Sequence, residues 1–191
     1  MMPRILAFAG STRRESFNKK LVAIAAQGAR AAGTEVTLID LKDFPLPLFD
    51  QDLEAEQGMP EHGKKLKKLF IDHDGLLIAS PEHNSSFPAV LKNALDWVSR
   101  PAPGKPSLVA FRDKVATLMS ASPGALGGLR GLVHVRSILG NLGVIVLPEQ
   151  IAVAQAHEAF NLDGTLKDPK RQAGIEGLGR TLAEFLAKLK S

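Results

Sequence analysis

Cysteine and tyrosine are both absent from the 191 residues, and tryptophan occurs once, at Trp97. Without cysteine there is no disulfide framework, no thiolate metal site and no cysteine nucleophile. Redox chemistry would therefore have to be carried by a bound group. The lack of tyrosine removes a common general acid. Long apolar runs are missing too: none reaches the ~18 residues that a membrane span needs. The stretch Ile5-Leu6-Ala7-Phe8-Ala9 is too short for a signal-peptide core and leads into Arg13-Arg14-Glu15, so a cytoplasmic location is expected. The five histidines form no His-Glu-x-x-His pair, which argues against a zinc hydrolase. No Gly-x-Ser-x-Gly elbow supplies a serine nucleophile, and neither a Walker A loop nor Gly-x-Gly-x-x-Gly occurs.

What is present is ordinary for a globular protein: 45% hydrophobic and 23% charged residues. Lys and Arg number 24 against 20 Asp and Glu, a net charge of +4. The one dense basic tract is Lys64-Lys65-Leu66-Lys67-Lys68. Leu66, Leu69 and Phe70 interleave with it at helical spacing, so it reads as an amphipathic helix with a solvated face. Nucleic-acid and membrane partners are not expected; a small anionic ligand suits the charge. The length suggests one domain spanning 1–191.

Short apolar runs at Arg4–Ala9, Val36–Ile39, Gly75–Ala79, Val115–Ser120 and Val144–Leu147 read as strands. Helical periodicity occupies Phe17–Ala32, Lys64–Asp72, Pro88–Ser99, Leu129–Asn141 and Arg171–Leu189. Buried-looking strands alternating with helices indicate an α/β protein: a five-stranded parallel sheet with helices on both faces. Ligands of such sheets bind at the carboxyl ends of the strands, here after Ala9, Ala79, Ser120 and Leu147. Asp43–Pro60 reads as a long loop and the most mobile segment.

The loops at those ends are polar. Gly10-Ser11-Thr12-Arg13-Arg14-Glu15-Ser16-Phe17-Asn18 joins a strand to a helix N-terminus, with three hydroxyls, an amide and two guanidinium groups. Donors at a helix N-terminus favour a phosphate; capping by Ser16 or Ser11 accounts for one hydroxyl only. Ser80-Pro81-Glu82-His83-Asn84-Ser85-Ser86-Phe87-Pro88 places a carboxylate, an imidazole and an amide before a helix. Ser120-Ala121-Ser122-Pro123-Gly124-Ala125-Leu126-Gly127-Gly128 lets backbone approach a ligand closely. Asp40, Glu82 and Glu149 are the acids near strand ends, and each reads more readily as a structural acceptor than as a catalyst.

Together these loops resemble the NADPH-dependent FMN reductases, a family of flavodoxin-like fold that includes chromate, quinone and azo-dye reductases. The resemblance covers nearly the whole chain. Its most specific part runs from Pro81-Glu82-His83-Asn84 through Phe87-Pro88-Ala89 to Leu91-Lys92-Asn93-Ala94-Leu95-Asp96-Trp97. The opening Gly-Ser-x-Arg-x-x-Ser-x-Asn at 10–18 and Ser-x-Ser-Pro-Gly-x-x-Gly-Gly at 120–128 also match. The resemblance implies FMN as cofactor, with Ser11, Arg13, Ser16 and Asn18 as a cradle for its phosphate. It implies Pro81, Glu82, His83, Asn84 and Ser85 around the flavin ring, and Ser120 and Gly124 at the ring's other edge. His83 stands where the family usually has tyrosine, and Ala89 where it usually has glycine.

The implied activity is transfer of hydride from NADPH or NADH through FMN to a quinone, azo compound, free flavin or metal oxyanion. No side-chain catalyst is implied, because the flavin carries the chemistry. A homodimer or homotetramer is implied as well. The alternatives are a flavodoxin-like electron carrier and a flavin-binding module without a substrate site. Carriers are typically acidic and steer by charge, and this chain is basic.

Overall fold

The computed structural model describes residues 2–102 and 104–190. Five strands, β1 (Arg4–Ala9), β2 (Glu35–Asp40), β3 (Gly75–Ala79), β4 (Val115–Ala121) and β5 (Ile145–Val153), form one sheet in the order β2-β1-β3-β4-β5. Every pairing is parallel. The helices are α1 (Phe17–Ala31), α2 (Gln51–Gln57), α3 (Glu61–Asp72), α4 (Ala89–Ser99), α5 (Leu129–Asn141), α6 (Ala156–Ala159) and α7 (Pro169–Lys190). This is the expected flavodoxin-like α/β architecture.

Burial explains the strand order. β3 and β4 are buried throughout, and β1 is buried beyond Arg4, as strands covered on both faces must be. β2 and β5 carry partly exposed residues and take the edges. Along β1, Ile5, Ala7 and Ala9 face a core filled by α1 and α7, while Leu6 and Phe8 face one filled by α3, α4 and α5. That alternation is the period-2 geometry of a strand placed between two helical layers.

The layer of α1 and α7 depends on two glycines. A Cβ on Gly28 would lie 2.0 Å from the Glu176 carbonyl oxygen, and one on Gly179 would lie 1.8 Å from that of Ala25. Only a missing side chain lets the two helix backbones touch.

Two expectations need correction. Residues 43–60 are not a structureless loop. A 3-10 turn at Leu41–Asp43 and the helix α2 occupy much of the segment. It is tied down by α4: Asn93 Nδ2 and Trp97 Nε1 each donate to the Pro47 carbonyl at 2.9 Å, and the Phe49 amide donates to Asn93 Oδ1 at 2.8 Å. Arg100 pairs with Glu54 at 2.7 Å. Second, β5 runs on to Val153 rather than ending at Leu147. Its pairing with β4 shifts register between Ala116 and Leu118, where Leu147-Pro148-Glu149 bulges. The Arg136 guanidinium covers that bulge, donating to the carbonyls of Val146 (3.2 Å) and Pro148 (3.3 Å).

Candidate functional site

The strand order reverses between β1 and β3, so the loops leaving their carboxyl ends diverge around a crevice. Single hydrogen bonds continue the ladder past the strands and level the loops. The Gly10 amide donates to Ala79 O at 2.9 Å, Ser80 to Met119 O at 2.9 Å, and Ser122 to Val153 O at 3.1 Å. Beyond them opens a cleft of about 470 Å³ lined by residues of the loops after β1, β3 and β4. That volume is within the ordinary range of small-molecule sites, roughly 300–1,000 Å³.

One end of the cleft is the N-terminus of α1. Ser16 holds the N-cap position and is 3% exposed, yet its hydroxyl makes no capping bond, and the first turn carries no acidic residue. The plain capping reading therefore fails, and the hydroxyl and the helix-end amides remain available as donors. Arg13 lies beside them. Its guanidinium stacks at 5.1 Å over Phe17, whose ring stacks in turn on Phe160 at 5.7 Å. Among the described residues Arg13 forms no ion pair. Ser11 and Thr12 line the same end. Hydroxyl and amide donors, the Arg13 guanidinium and a helix dipole pointing the same way fit a phosphate dianion.

Asn18 lines the cleft, but its amide is largely engaged. Nδ2 donates to the Ala121 carbonyl at 2.8 Å, and Oδ1 accepts from the Ala121 amide at 2.9 Å. Asn18 thus fastens the start of α1 to the end of β4 and sets the width between the first and fourth loops.

The loop after β3 is a tight hairpin. His83 and Ser86 exchange backbone bonds of 2.8 and 3.0 Å. Between them Asn84 (φ 50°) and Ser85 (φ 64°) both adopt the left-handed conformation, the geometry of a type I′ turn. Asn tolerates it; Ser does so at a penalty that glycine would avoid. Pro81, Glu82 and His83 line the cleft, with Pro88 and Val90 below them. Asn84 and Ser85 form the hairpin tip outside the lining. Glu82 turns away toward α5: Oε2 accepts from the Gly131 amide at 3.0 Å, and Arg130 approaches Oε1 at 3.3 Å.

From the fourth loop, Ala121, Ser122 and Pro123 reach the cleft. Ser120 does not; it is fully buried, and its hydroxyl donates to the Gly127 carbonyl at 2.6 Å, bracing the turn from behind. Gly127 (φ 63°) and Gly128 (φ 92°) form that turn, and a Cβ at either would strike neighbouring atoms within 3.0 Å. Gly124 is exposed, its amide donating to Ser122 Oγ at 3.3 Å, and lies outside the lining. Asp40 accepts from the Lys42 amide at 2.9 Å and pairs with Lys19, a structural acceptor as expected. Glu149 is exposed in the β5 bulge, away from the cleft.

Sequence reasoning thus named Ser11, Arg13, Ser16, Asn18, Pro81, Glu82 and His83, which the structure brings together. It singled out neither Thr12 nor Ser122, and it missed the apolar wall of Phe17 and Val90. Both polar residues lie in loops already marked. The apolar wall carries no chemical signature of its own in the sequence.

A family model of NADPH-dependent FMN reductases matches residues 3–158. The chain belongs to that family. It is 33% identical over 192 residues to a probable NADPH:quinone oxidoreductase of rice, covering 98% of this chain and 90% of the relative. It is 36% identical over 163 residues to a 2-hydroxy-1,4-benzoquinone reductase of a Burkholderia species, covering 85% and 84%. The solved structure of a flavoenzyme NAD(P)H:(acceptor) oxidoreductase from Paracoccus denitrificans superposes with a TM-score of 0.81 at 27% identity, covering 98% of each chain. This FMN reductase family member is an oxidoreductase that uses FMN, with NAD(P)H as co-substrate. Among the described residues no helix is long and apolar enough to cross a membrane.

Proposed function

We propose that the cleft holds FMN with its phosphate at the N-terminus of α1 and its ring between the loops 81–83 and 121–123, and that the enzyme reduces quinones with NAD(P)H. The carrying observation is the buried Ser16 hydroxyl, which makes no capping bond, beside Arg13, which forms no ion pair among the described residues, at one end of a cleft whose other end is flanked by two loops. FMN, when bound, supplies the two-electron redox chemistry.

The chain's own residues do the rest. Arg13 and the first amides of α1 balance the phosphate charge. Stacking on Phe17 fixes where the guanidinium points. Val90 and Pro88 supply an apolar floor, and Asn18 holds the walls at constant separation. The quinone acceptor is supported by the names of relatives at 33% and 36% identity. We read residues 1–191 as a single FMN-binding domain working in the cytoplasm, where nicotinamide nucleotides are at hand. Leu126, in the loop after β4, and Leu129 and Val133, on α5, are exposed by 50%, 43% and 58% and support a homodimer or homotetramer that buries them.

Incubation with FMN or FAD, desalting and release should yield stoichiometric FMN. Double-reciprocal plots with NADPH and a quinone should be parallel, since electrons must wait on one carrier between donor and acceptor. Retention of FAD alone, or failure to oxidise NADPH with any quinone, overturns the reading.

A further inference from the structure

The hairpin 83–86 borders the cleft, yet the groups that hold it come from α5. The N-cap of α5 is Gly128, which has no side chain with which to cap the helix. The Gly131 amide, in the first turn, would be an orphan donor. Its acceptor is Glu82 Oε2 at 3.0 Å, from the loop after β3. The Glu82 side chain is 11% exposed, so this bond is largely shielded from water. A second clip lies one turn on, where His134 Nδ1 meets Ser86 Oγ at 2.9 Å. Between the clips the surfaces touch: a Cβ on Gly131 would come to 3.2 Å from the Ser86 carbonyl oxygen and 3.4 Å from Glu82 Cβ.

We propose that Glu82 is a positioning residue that caps α5 from across the loop, and that α5, through Gly131 and His134, sets the position of the hairpin against the flavin ring. This rests on the reading that the ring lies beside residues 81–83. The carboxylate then acts by geometry, as an acceptor at a helix N-terminus, rather than as a charge felt by the ring. Arg130 contributes little, being an exposed partner at the rim. The device also accounts for two left-handed residues at the hairpin tip, which persist only where surrounding contacts over-determine them.

Three substitutions at Glu82 separate geometry from charge. Gln keeps an oxygen acceptor at the same reach; Asp is one methylene short; Ala removes the acceptor. In the flavin-free protein, amide exchange at Gly131 and Ser86 should quicken about tenfold or more in Glu82→Ala and Glu82→Asp and stay near wild type in Glu82→Gln, the scale of losing one charge-assisted hydrogen bond. FMN and riboflavin affinities should fall together, by about tenfold in Ala and less than about threefold in Gln, because the disturbed end is the ring end.

Gly131→Ala tests the same contact from α5 with Glu82 left in place. Alanine favours the helix itself, so weaker binding of both flavins would come from the displaced hairpin. Exchange unchanged in Glu82→Ala, Gln as weak as Ala, or a loss confined to FMN would each overturn the proposal. So would a Gly131→Ala protein that binds both flavins as well as wild type. Should wild type bind no flavin, the reading of the cleft fails, while the exchange measurements still decide whether the clamp exists.

Discussion

The two ends of the sheet are built from similar groups and treat them in opposite ways. At the amino end, Asp74 accepts from the Arg4 amide at 2.8 Å and from Lys190 at 2.7 Å. Lys114, 4% exposed, donates to the His73 carbonyl. The His73 ring contacts the Leu69 carbonyl at 2.6 Å and Thr37 Oγ1 at 2.8 Å. At the carboxyl end, the Ser16 hydroxyl does not cap its helix, and Arg13 rests on an aromatic face instead of a carboxylate. Paired polar groups fasten secondary structure; unpaired ones at a helix N-terminus wait for an anion. The difference distinguishes groups that serve the fold from groups that serve the ligand, although the residue types overlap. Substitutions at the amino end should lower stability, and those at the carboxyl end should lower binding.

Asn18 is the sharpest challenge to that division, because it belongs to the cleft and yet its amide is largely engaged in bonds to Ala121. Asn18→Ala would strand both the amide and the carbonyl of Ala121 in a buried site, at about 2–4 kcal/mol for two unsatisfied groups. Denaturant unfolding of the flavin-free protein should show that loss. A change under about 0.5 kcal/mol, the usual size for an unremarkable surface site, would remove Asn18 from the fold-serving class.

Arg13→Ala should behave in the opposite way. The charge-assisted bond to phosphate is worth about 1.5–3 kcal/mol, so FMN should bind roughly ten- to a hundredfold more weakly while riboflavin binding is unchanged. Flavin-free stability should hardly move. Titration calorimetry with both ligands checks it, and equal losses for the two would mean that Arg13 acts through the fold.

The same contrast explains what could be read in the sequence. β1, β3 and β4 are runs of apolar residues with no competing pattern, and the three loops they carry are legible as polar strand-end segments whose roles the family resemblance implies. The helix α2 is not. Seven residues without a buried side chain have no periodicity to detect; Arg100 pairs with Glu54 inside the helix, while Asn93 and Trp97 hold Pro47 and Phe49 just ahead of it, all from far along the chain. The apolar run of β5 ends at Leu147, and the strand continues past it because Pro148, on an edge strand, sits in a bulge. The family resemblance marks Asn18, Glu82 and Ser120 but does not say which way they point. Asn18 reaches β4, Glu82 reaches α5 and Ser120 reaches Gly127, each a contact between segments distant in sequence.

Lys114 gives the amino end a pH signature. Burial pushes its pKa down to about 8, against the opposing pull of Asp74, Asp113 and Asp72. In the unfolded chain a lysine titrates near 10.4. Between those values the unfolded state binds more protons, so stability rises with pH, by about 1 kcal/mol from pH 7 to 9. Lys114→Met should flatten that rise. Equal slopes in the two proteins would show that the lysine is solvated.

The smallest expected effect belongs to Lys190, at the end of α7. It pairs with Asp74 at 2.7 Å, and both side chains are a little under a third exposed, at 28% and 29%. Burial tends to raise the Asp74 pKa, but hydrogen bonds from Lys190 and the Arg4 amide outweigh it and hold the carboxyl below its usual value. A depressed carboxyl pKa adds stability that is present above the unfolded value of about 3.9 and lost as pH falls through the folded value. Exposed pairs are worth about 0.2–1 kcal/mol, so Lys190→Met should cost no more than that at pH 7 and nothing once Asp74 is protonated. The Arg4 amide remains bonded to Asp74 in the variant, which keeps the carboxylate partly satisfied. Thermal unfolding at pH 7, with Lys190→Met made alone and together with Asp74→Asn, measures the difference. A deficit as large in the Asp74→Asn background as in wild type would mean that Lys190 stabilises by packing its methylenes on the end of the sheet, and the amino end would then owe less of its stability to ion pairing than its distances suggest.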